Sequence, residues 1–267
     1  MELFYRKEGE GPVIIIVHGL YGSSDNWMKI GGKLAKNHAV YMIDQRNHGR
    51  SPFAASNTYE DMKSDLAEFF NKQKIEKATL LGHSMGGKTA MWFAADYPEK
   101  VEKLVVADIA PKNYVDSQER DTFSLHMNIL KAMQGLDLSK AKKRHDIDNM
   151  FAAEIENEKV RKFLLKNVTK DKASEKFKWR LNVDVLMDDL EEIVGGVNEQ
   201  WFEDRIPITV YPVIFIRGLK SGYILPEDEA IIKRIYPEST IVDIEEAGHW
   251  LHAEKPKEFM KAVKRCC

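Results

Sequence analysis

Short apolar runs alternate with amphipathic stretches over the first hundred residues of the chain. Val13–Val17 is a continuous β-branched run, which is typical of a strand buried on both faces, and Val101–Ala107 is a second candidate for a buried strand. The predicted strands are residues 3–7, Val13–Val17, Ala39–Ile43, residues 78–81 and Val101–Ala107, and the predicted helices are residues 25–36, 58–70 and 85–97. Strands that alternate with helices in this way favour an α/β fold with a mostly parallel central sheet.

The alternation stops after Pro111. Residues 112–206 are polar and mainly helical in pattern, and they contain no obvious strand. A strand at 213–216, a helix at 226–236, the strand Thr240–Ile244 and a last helix after Pro256 complete the pattern. We therefore predict a single domain over residues 1–267, in which residues 112–206 form a helical insertion.

Charge is unevenly distributed within the insertion. Residues 159–180 carry nine Lys or Arg residues against Asp171 and Glu175, whereas residues 184–204 carry eight acids and no base. The simpler interpretation is two solvated helical faces that attract each other. The alternative is that the basic stretch receives the phosphates of a substrate such as a coenzyme A thioester.

The run Gly82-His83-Ser84-Met85-Gly86 joins a predicted strand directly to a predicted helix. A Gly-x-Ser-x-Gly pattern in this context is typical of a nucleophile elbow, a sharp turn that lifts the serine hydroxyl above the edge of the sheet. Gly82 and Gly86 suit such a turn, because a Cβ atom at either position would collide with the neighbouring strand or helix. Ser84 is therefore the candidate nucleophile, and a chance match in a loop is the alternative.

A serine hydroxyl is a weak nucleophile that needs a general base, and the base needs an acid to orient it. His249 is the candidate base, because it follows the last predicted strand, where the chain order Ser…Asp…His places this residue. Among the other histidines, His252 is expected to have a structural role, and His18 and His83 are expected to anchor loops beneath the site. His48 is expected to hold its own loop in place. No chemical role is expected for the remaining three, which are His38, His126 and His145.

In most enzymes of this architecture the acid follows the strand after the insertion, but residues 217–224 contain no carboxylate. Glu227 and Asp228 come later, in the first turn of a predicted helix, where acids favour the helix dipole. Asp108 lies just past the carboxyl end of a buried strand, at the edge where open α/β sheets bind ligands. We therefore expect Asp108 to be the acid, with a loop-capping role as the alternative.

Acyl transfer through a tetrahedral intermediate also needs hydrogen-bond donors for the oxyanion. The backbone N–H of Met85, directly after the candidate nucleophile, is one predicted donor. The second is the N–H of Leu20, in a loop that Gly19 and Gly22 allow to bend inward.

Composition narrows the classes of partner. A formal net charge of −2 and a pI near 6.5 give no reason to expect binding to nucleic acid or to an anionic membrane. No stretch approaches the ~20 apolar residues of a membrane span, and the first residues do not resemble a signal peptide. Cys266 and Cys267 cannot build a disulfide framework. A cytoplasmic location is therefore expected, and no motif for a cofactor or metal is present.

Taken together, these motifs resemble those of the α/β-hydrolase family. His18-Gly19 and the runs at 44–51, 82–86 and 248–249 stand where that family places them. The chain is most similar to the esterase group that includes bacterial YbfF, in which the acid follows the sixth strand and a serine stands where others keep the acid. Asp108 and Ser221 match this feature. The resemblance also covers residues 105–114, 163–166, 179–185 and 247–256.

By this resemblance, Ser84, Asp108 and His249 form a catalytic triad, the N–H groups of Leu20 and Met85 form an oxyanion hole, and the insertion forms a helical cap. It implies hydrolysis of small-molecule carboxylic esters, or of acyl thioesters such as acyl-CoA, without a cofactor. Either a monomer or a homodimer is compatible with it. The alternatives are a cofactor-free haloperoxidase or perhydrolase, a lyase on the same triad, and a small-molecule receptor that keeps the triad.

Overall fold

The computed structural model describes residues 1–115 and 120–264 of the chain, so Cys266 and Cys267 lie outside the described residues. Its strands are β1 (Tyr5–Glu8), β2 (Val13–Val17), β3 (Ala39–Ile43), β4 (Ala78–His83), β5 (Val101–Ala107), β6 (Val168–Lys170), β7 (Phe177–Trp179), β8 (Val213–Gly218) and β9 (Thr240–Ile244). Seven of these form one sheet in the order β1-β3-β2-β4-β5-β8-β9. All neighbours in it are parallel except β1 and β3, which confirms the predicted α/β fold.

The helices are α1 (Met28–Leu34), α2 (Tyr59–Lys72), α3 (Met85–Asp96), α4 (Arg120–Gly135), α5 (Arg144–Ala152), α6 (Glu158–Leu164), α7 (Val183–Asp188), α8 (Leu190–Gly195), α9 (Glu199–Phe202), α10 (Asp228–Ile235), α11 (Leu251–Glu254) and α12 (Pro256–Lys264). The predicted boundaries in the α/β part are close to these, except that the helix expected at 25–36 is a 3₁₀ turn, Ser24–Asn26, followed by α1. In the described part of the chain, none of the helices combines the length and the apolar character needed to cross a bilayer.

The sheet buries both of its faces. Along β2, Ile15 and Val17 belong to one apolar core and Ile14 and Ile16 to the other, because successive side chains of a strand point to opposite faces. Helices α2, α3 and α10 pack on the first face, and α1 and α12 pack on the second. This two-sided burial explains why the strands are continuous apolar runs in the sequence.

The cap comprises α4 to α9 together with the antiparallel hairpin of β6 and β7, and its apolar side is continuous with the first core. The expectation of no strand within residues 112–206 was therefore wrong. Each of the two strands has three residues, with Val168 and Phe177 buried and Lys170 and Lys178 exposed. Alternation over three residues is too short to distinguish from a helical pattern, and pairing across the hairpin is what makes these residues strands.

Five of the nine bases in the stretch 159–180 form ion pairs. Its ion pairs are Arg161–Asp148, Lys162–Glu158, Lys170–Glu175, Lys178–Asp171 and Arg180–Asp25. Residues 159–204 are all described, and no ion pair joins the basic stretch to the acidic stretch at 184–204. The expected attraction between the two stretches therefore involves no direct ion pair, and the paired bases use other acids.

Candidate active site

The turn between β4 and α3 holds Ser84 in an unusual backbone conformation, with φ 53° and ψ −124°. A non-glycine residue in such a region costs about 1–3 kcal/mol and persists only where its surroundings enforce it. Here the enforcing contacts are tight: a Cβ atom on Gly82 would lie 2.3 Å from the Gly86 carbonyl oxygen, and one on Gly86 would lie 2.3 Å from that of Val17. The turn thus places Ser84 at the carboxyl edge of the sheet.

Asp108 follows β5, is fully buried, and hydrogen-bonds with His249. Its Oδ2 lies 2.8 Å from His249 Nδ1, and its Oδ1 accepts a hydrogen bond of 3.0 Å from the Gly218 N–H. The Ser221 hydroxyl donates a further hydrogen bond to Oδ2. Because an ionised carboxylate accepts only, the Nδ1 atom of His249 carries the proton and its Nε2 atom keeps a lone pair.

A cavity of about 280 Å³ lies beneath the cap, and both Ser84 and His249 line it. Most of its other walls are apolar or aromatic, among them Leu125, Ile129, Phe163 and Trp250. The structure therefore brings three of the predicted residues together: two face the same cavity, and Asp108 lies behind His249. A pocket with apolar walls and a few convergent polar groups is the usual form of a small-molecule site.

Met85 directly follows Ser84 in the chain, and Leu20 lines the same cavity as Ser84. Leu20 belongs to a tight turn in which the Gly22 N–H donates to the Gly19 carbonyl at 2.9 Å. Met85 is the first residue of α3, where the N–H groups have no partner within the helix. Among the hydrogen bonds of residues 1–115 and 120–264, none uses either N–H as donor, so both remain available to a ligand.

Four buried histidines hold the loops around this cavity. His18 donates from Nδ1 to the Gly19 carbonyl and accepts at Nε2 from the Gln45 N–H, both within 3 Å. The Nε2–H of His83 donates to the His249 carbonyl at 2.8 Å and so fixes the backbone of that loop. His48 donates to a backbone carbonyl of its own turn, and His252 stacks on Trp27. These placements agree with the anchoring roles expected from the sequence.

Burial keeps these histidines uncharged. It lowers the pKa of His18 to about 4, that of His48 to about 3 and that of His252 to about 3. Burial also lowers the pKa of His83 well below its usual value, and the neighbouring His249 and His252 add to this. At neutral pH all four are therefore neutral, and His18, His48 and His83 act as hydrogen-bonding groups while His252 acts as a stacked ring.

Sequence reasoning missed the contact between His126 and Tyr223. The Tyr223 ring stacks on the His249 imidazole with 3.8 Å between ring centroids, and its hydroxyl lies 3.0 Å from His126 Nε2. His126 is on cap helix α4, and enclosure lowers its pKa to about 4. Since 97 positions separate the two residues, only the packing of the cap over the sheet brings them together.

A buried lysine behind the elbow was also missed. Lys88 is 1% exposed, and its ammonium group donates to the carbonyls of Lys112, Val194 and Gly196. One signal was present in the sequence, because Lys88 is the only charged residue within 85–95. The three carbonyls belong to the two ends of the cap, so Lys88 fastens the cap to the helix that begins at Ser84.

Lys88 gives the fold a predicted dependence on pH. Burial lowers its pKa to about 7 from an ordinary value of 10.5, so between these values the folded chain binds fewer protons than the unfolded chain. Stability in this window rises with pH, by up to about 1.4 kcal/mol per pH unit. Urea unfolding between pH 7 and 9.5 measures this effect. The free energy of unfolding should rise more steeply with pH for the wild type than for Lys88→Met, and equal slopes for the two proteins would contradict the prediction.

Of the alternative acids, Asp228 is engaged elsewhere, and Glu227 is exposed with no side-chain capping hydrogen bond. Asp228 is buried, accepts a hydrogen bond of 2.8 Å from the Lys112 ammonium group and also accepts from the Leu225 N–H at 2.7 Å. Glu227 is the N-cap residue of α10. In the described residues no group of three or more His, Cys, Asp or Glu side chains is arranged to hold a metal ion.

Comparison with known proteins places this geometry in a family. The family model for the alpha/beta hydrolase fold matches residues 12–256. Esterase YbfF of Escherichia coli is 35% identical, with 94% of this chain and 91% of YbfF covered. The sn-1-specific diacylglycerol lipase ABHD11 of Mus musculus is 34% identical, with 94% of this chain and 80% of the mouse protein covered.

Comparison with a solved structure places the three-dimensional fold in the same family. The chain is similar to a marine microorganism esterase, with a TM-score of 0.93 and 44% sequence identity, over 99% of this chain and 98% of the esterase. The similarity therefore includes the cap as well as the sheet. With its sheet order, its serine elbow and the match of residues 12–256, the chain belongs to the alpha/beta hydrolase family.

Proposed function

We propose that this chain is a serine hydrolase that cleaves small-molecule carboxylic esters through an acyl-enzyme on Ser84. The observation that carries the proposal is the 2.8 Å hydrogen bond between Asp108 Oδ2 and His249 Nδ1, next to a cavity that Ser84 and His249 share. The esterase and lipase names of the relatives support the same class of reaction. The apolar cavity walls suit an ester without charge near the scissile bond.

Each residue of the proposed triad has one role. Ser84 Oγ attacks the acyl carbon while its proton passes to His249 Nε2. The bond from the acyl carbon to the leaving oxygen then breaks, and Nε2 returns the proton to that oxygen. Water next attacks the acyl-enzyme, gives its proton to Nε2, and the acid leaves as Ser84 regains that proton. Asp108 holds the imidazole in the required tautomer and stabilises its charged form.

The N–H groups of Leu20 and Met85 would stabilise the oxyanion that forms in both steps. Both are backbone donors without a protein acceptor in the described ranges 1–115 and 120–264. The elbow fixes Met85, and the Gly19–Gly22 turn fixes Leu20, so the donors need no rearrangement when charge develops. Such preorganised donors are worth on the order of 10²–10³ in rate each.

Covalent labelling tests this proposal directly. A fluorophosphonate should label the wild type once, on the peptide that contains Ser84, and block hydrolysis of 4-nitrophenyl acetate. Ser84→Ala should remain unlabelled, and Ser221→Ala, which keeps the elbow intact, should still label at Ser84, at a rate within about tenfold of the wild type. Labelling at any other serine, or full activity after labelling of Ser84, would overturn the assignment.

Pre-steady-state kinetics separate this proposal from its rivals. A burst of 4-nitrophenol stoichiometric with enzyme indicates an acyl-enzyme, which a lyase does not form. A perhydrolase would divert the acyl group to peracid when hydrogen peroxide is added, whereas a hydrolase keeps releasing the acid. A receptor that retains the triad would turn over simple esters no faster than a few times per hour.

Thioester hydrolysis is a second candidate, supported by Lys159, a base of the 159–180 stretch that lines the cavity. If the stretch receives the phosphates of an acyl-CoA, KM for this substrate rises several-fold between low and physiological salt, while KM for a neutral short ester is unchanged. Lys159→Ala should then weaken the salt effect. Equal salt responses for the two substrates would reject the candidate and leave the bases as a solvated, ion-paired surface.

A further inference from the structure

A second cavity also borders Ser84. It measures about 20 Å³, against about 280 Å³ for the large cavity, and Ser84 lines both. Its walls include Ile109, Ile193 and Val194, which come from the loop after β5 and from cap helix α8. Tyr223 and His126 line both cavities, and the hydrogen bond between them lies at the boundary.

The two cavities differ in which chemical groups they present. His249 lines the large cavity and not the small one, whereas Met85 lines the small cavity and not the large one. The leaving oxygen must reach His249 to receive its proton, so the leaving group belongs on the side of the large cavity. The acyl chain is a separate substituent of the same carbon, which leaves it the small cavity, lined by Met85 and not by His249.

We propose that the substrates of this chain are esters of a short acyl group, held in the small cavity, with a bulky apolar alcohol, held in the large one. This inference rests on the proposed function and assigns each half of the substrate to a cavity. A buried water needs about 10–15 Å³, so 20 Å³ accepts an acetyl or propionyl chain and excludes long ones. The large cavity, at about 280 Å³, has room for a much bulkier alcohol.

The α8 wall of the small cavity is firmly held. Ile193 is 4% exposed, and its carbonyl accepts a 2.7 Å hydrogen bond from the buried Tyr59 hydroxyl. The carbonyl of Val194 accepts from Lys88, which fixes the adjoining turn of α8. Because these residues are closely packed, a longer acyl chain cannot easily push this wall aside.

Two substrate series test the assignment in the wild type. In 4-nitrophenyl esters with acyl chains from two to eight carbons, kcat/KM should fall at least tenfold between the propionate and the hexanoate. In acetates of primary alcohols from two to eight carbons, kcat/KM should rise, by up to about fourfold per methylene. The opposite pair of trends would show that the acyl group occupies the large cavity.

Matched variants locate each half of the substrate. Ile193→Ala widens only the small cavity and should move the acyl optimum toward longer chains by about two carbons. Ile129→Ala widens only the large cavity, so it should leave the acyl profile unchanged and improve acetates of branched alcohols. Ile193→Val and Ile129→Val give smaller changes in the same directions if an alanine variant fails to fold.

The outcomes separate this inference from the proposed function. If no ester of either series is hydrolysed and Ser84 is not labelled, the proposed function has failed. If esters are hydrolysed but Ile129→Ala shifts the acyl profile and Ile193→Ala does not, the hydrolase stands and the assignment of the cavities is overturned.

Discussion

Ser84→Ala is expected to lower kcat/KM for ester hydrolysis on the order of 10⁴-fold or more while leaving the fold intact. At φ 53° the backbone strain is similar for alanine and serine, so the turn is retained. The substitution removes only one oxygen atom, from a residue that faces a cavity. Hydrolysis of 4-nitrophenyl acetate and thermal unfolding measure the two effects. Activity within tenfold of the wild type would reject Ser84 as the nucleophile.

Asp108→Asn is expected to lower kcat by about 10³–10⁴-fold. The asparagine Oδ1 atom can still accept from the Gly218 N–H, so its NH₂ group then faces His249 Nδ1. That NH₂ group must donate, which forces the imidazole proton onto Nε2, where the base needs its lone pair. Steady-state kinetics across pH 6–9 measure the loss.

Two controls accompany Asp108→Asn. Ser221→Ala removes a hydroxyl that donates to the Asp108 carboxylate, so its effect should be no more than about tenfold. Asp228→Asn breaks the pair with Lys112 and should act on stability rather than on kcat. If Asp108→Asn is nearly silent and Glu227→Gln or Asp228→Asn abolishes activity, the acid has been misassigned.

A converse variant tests the same arrangement. Because the Ser221 hydroxyl and His249 Nδ1 both bond to Asp108 Oδ2, a carboxylate at position 221 lies within reach of the imidazole. Adding Ser221→Asp to Asp108→Asn should therefore restore part of the lost activity. No recovery in a folded double variant would show that the 217–224 loop cannot orient the base.

The sequence predicted the sheet and the elbow well, because both depend on local patterns. The β-branched runs that became β2 and β5 are buried on both faces, and Gly82 and Gly86 lie where an added Cβ atom would meet backbone. The predicted strand of Asp108 also ends where expected, at the carboxyl edge beside β8. These features need only the order of residues along a short segment.

Features that depend on the cap could not be predicted in the same way. The β6–β7 hairpin is specified by pairing rather than by a recognisable alternation. His126 contacts Tyr223 because α4 packs over the loop after β8, and nothing near His126 in the sequence indicates this. Lys88 was visible as an isolated charge, but its partners are backbone carbonyls, which no side-chain pattern reveals.

The attachment made by Lys88 has a consequence for the order of events during turnover. It fixes the α8 side of the cap, whereas on the α4 side Leu125 is 52% exposed at the large cavity. Among the described residues, the exposed wall beside Ser84 therefore belongs to the large cavity. Under the proposed mechanism, the alcohol would depart first on this side, water would arrive in its place, and the acid, held against the α8 wall, would be the last product to leave.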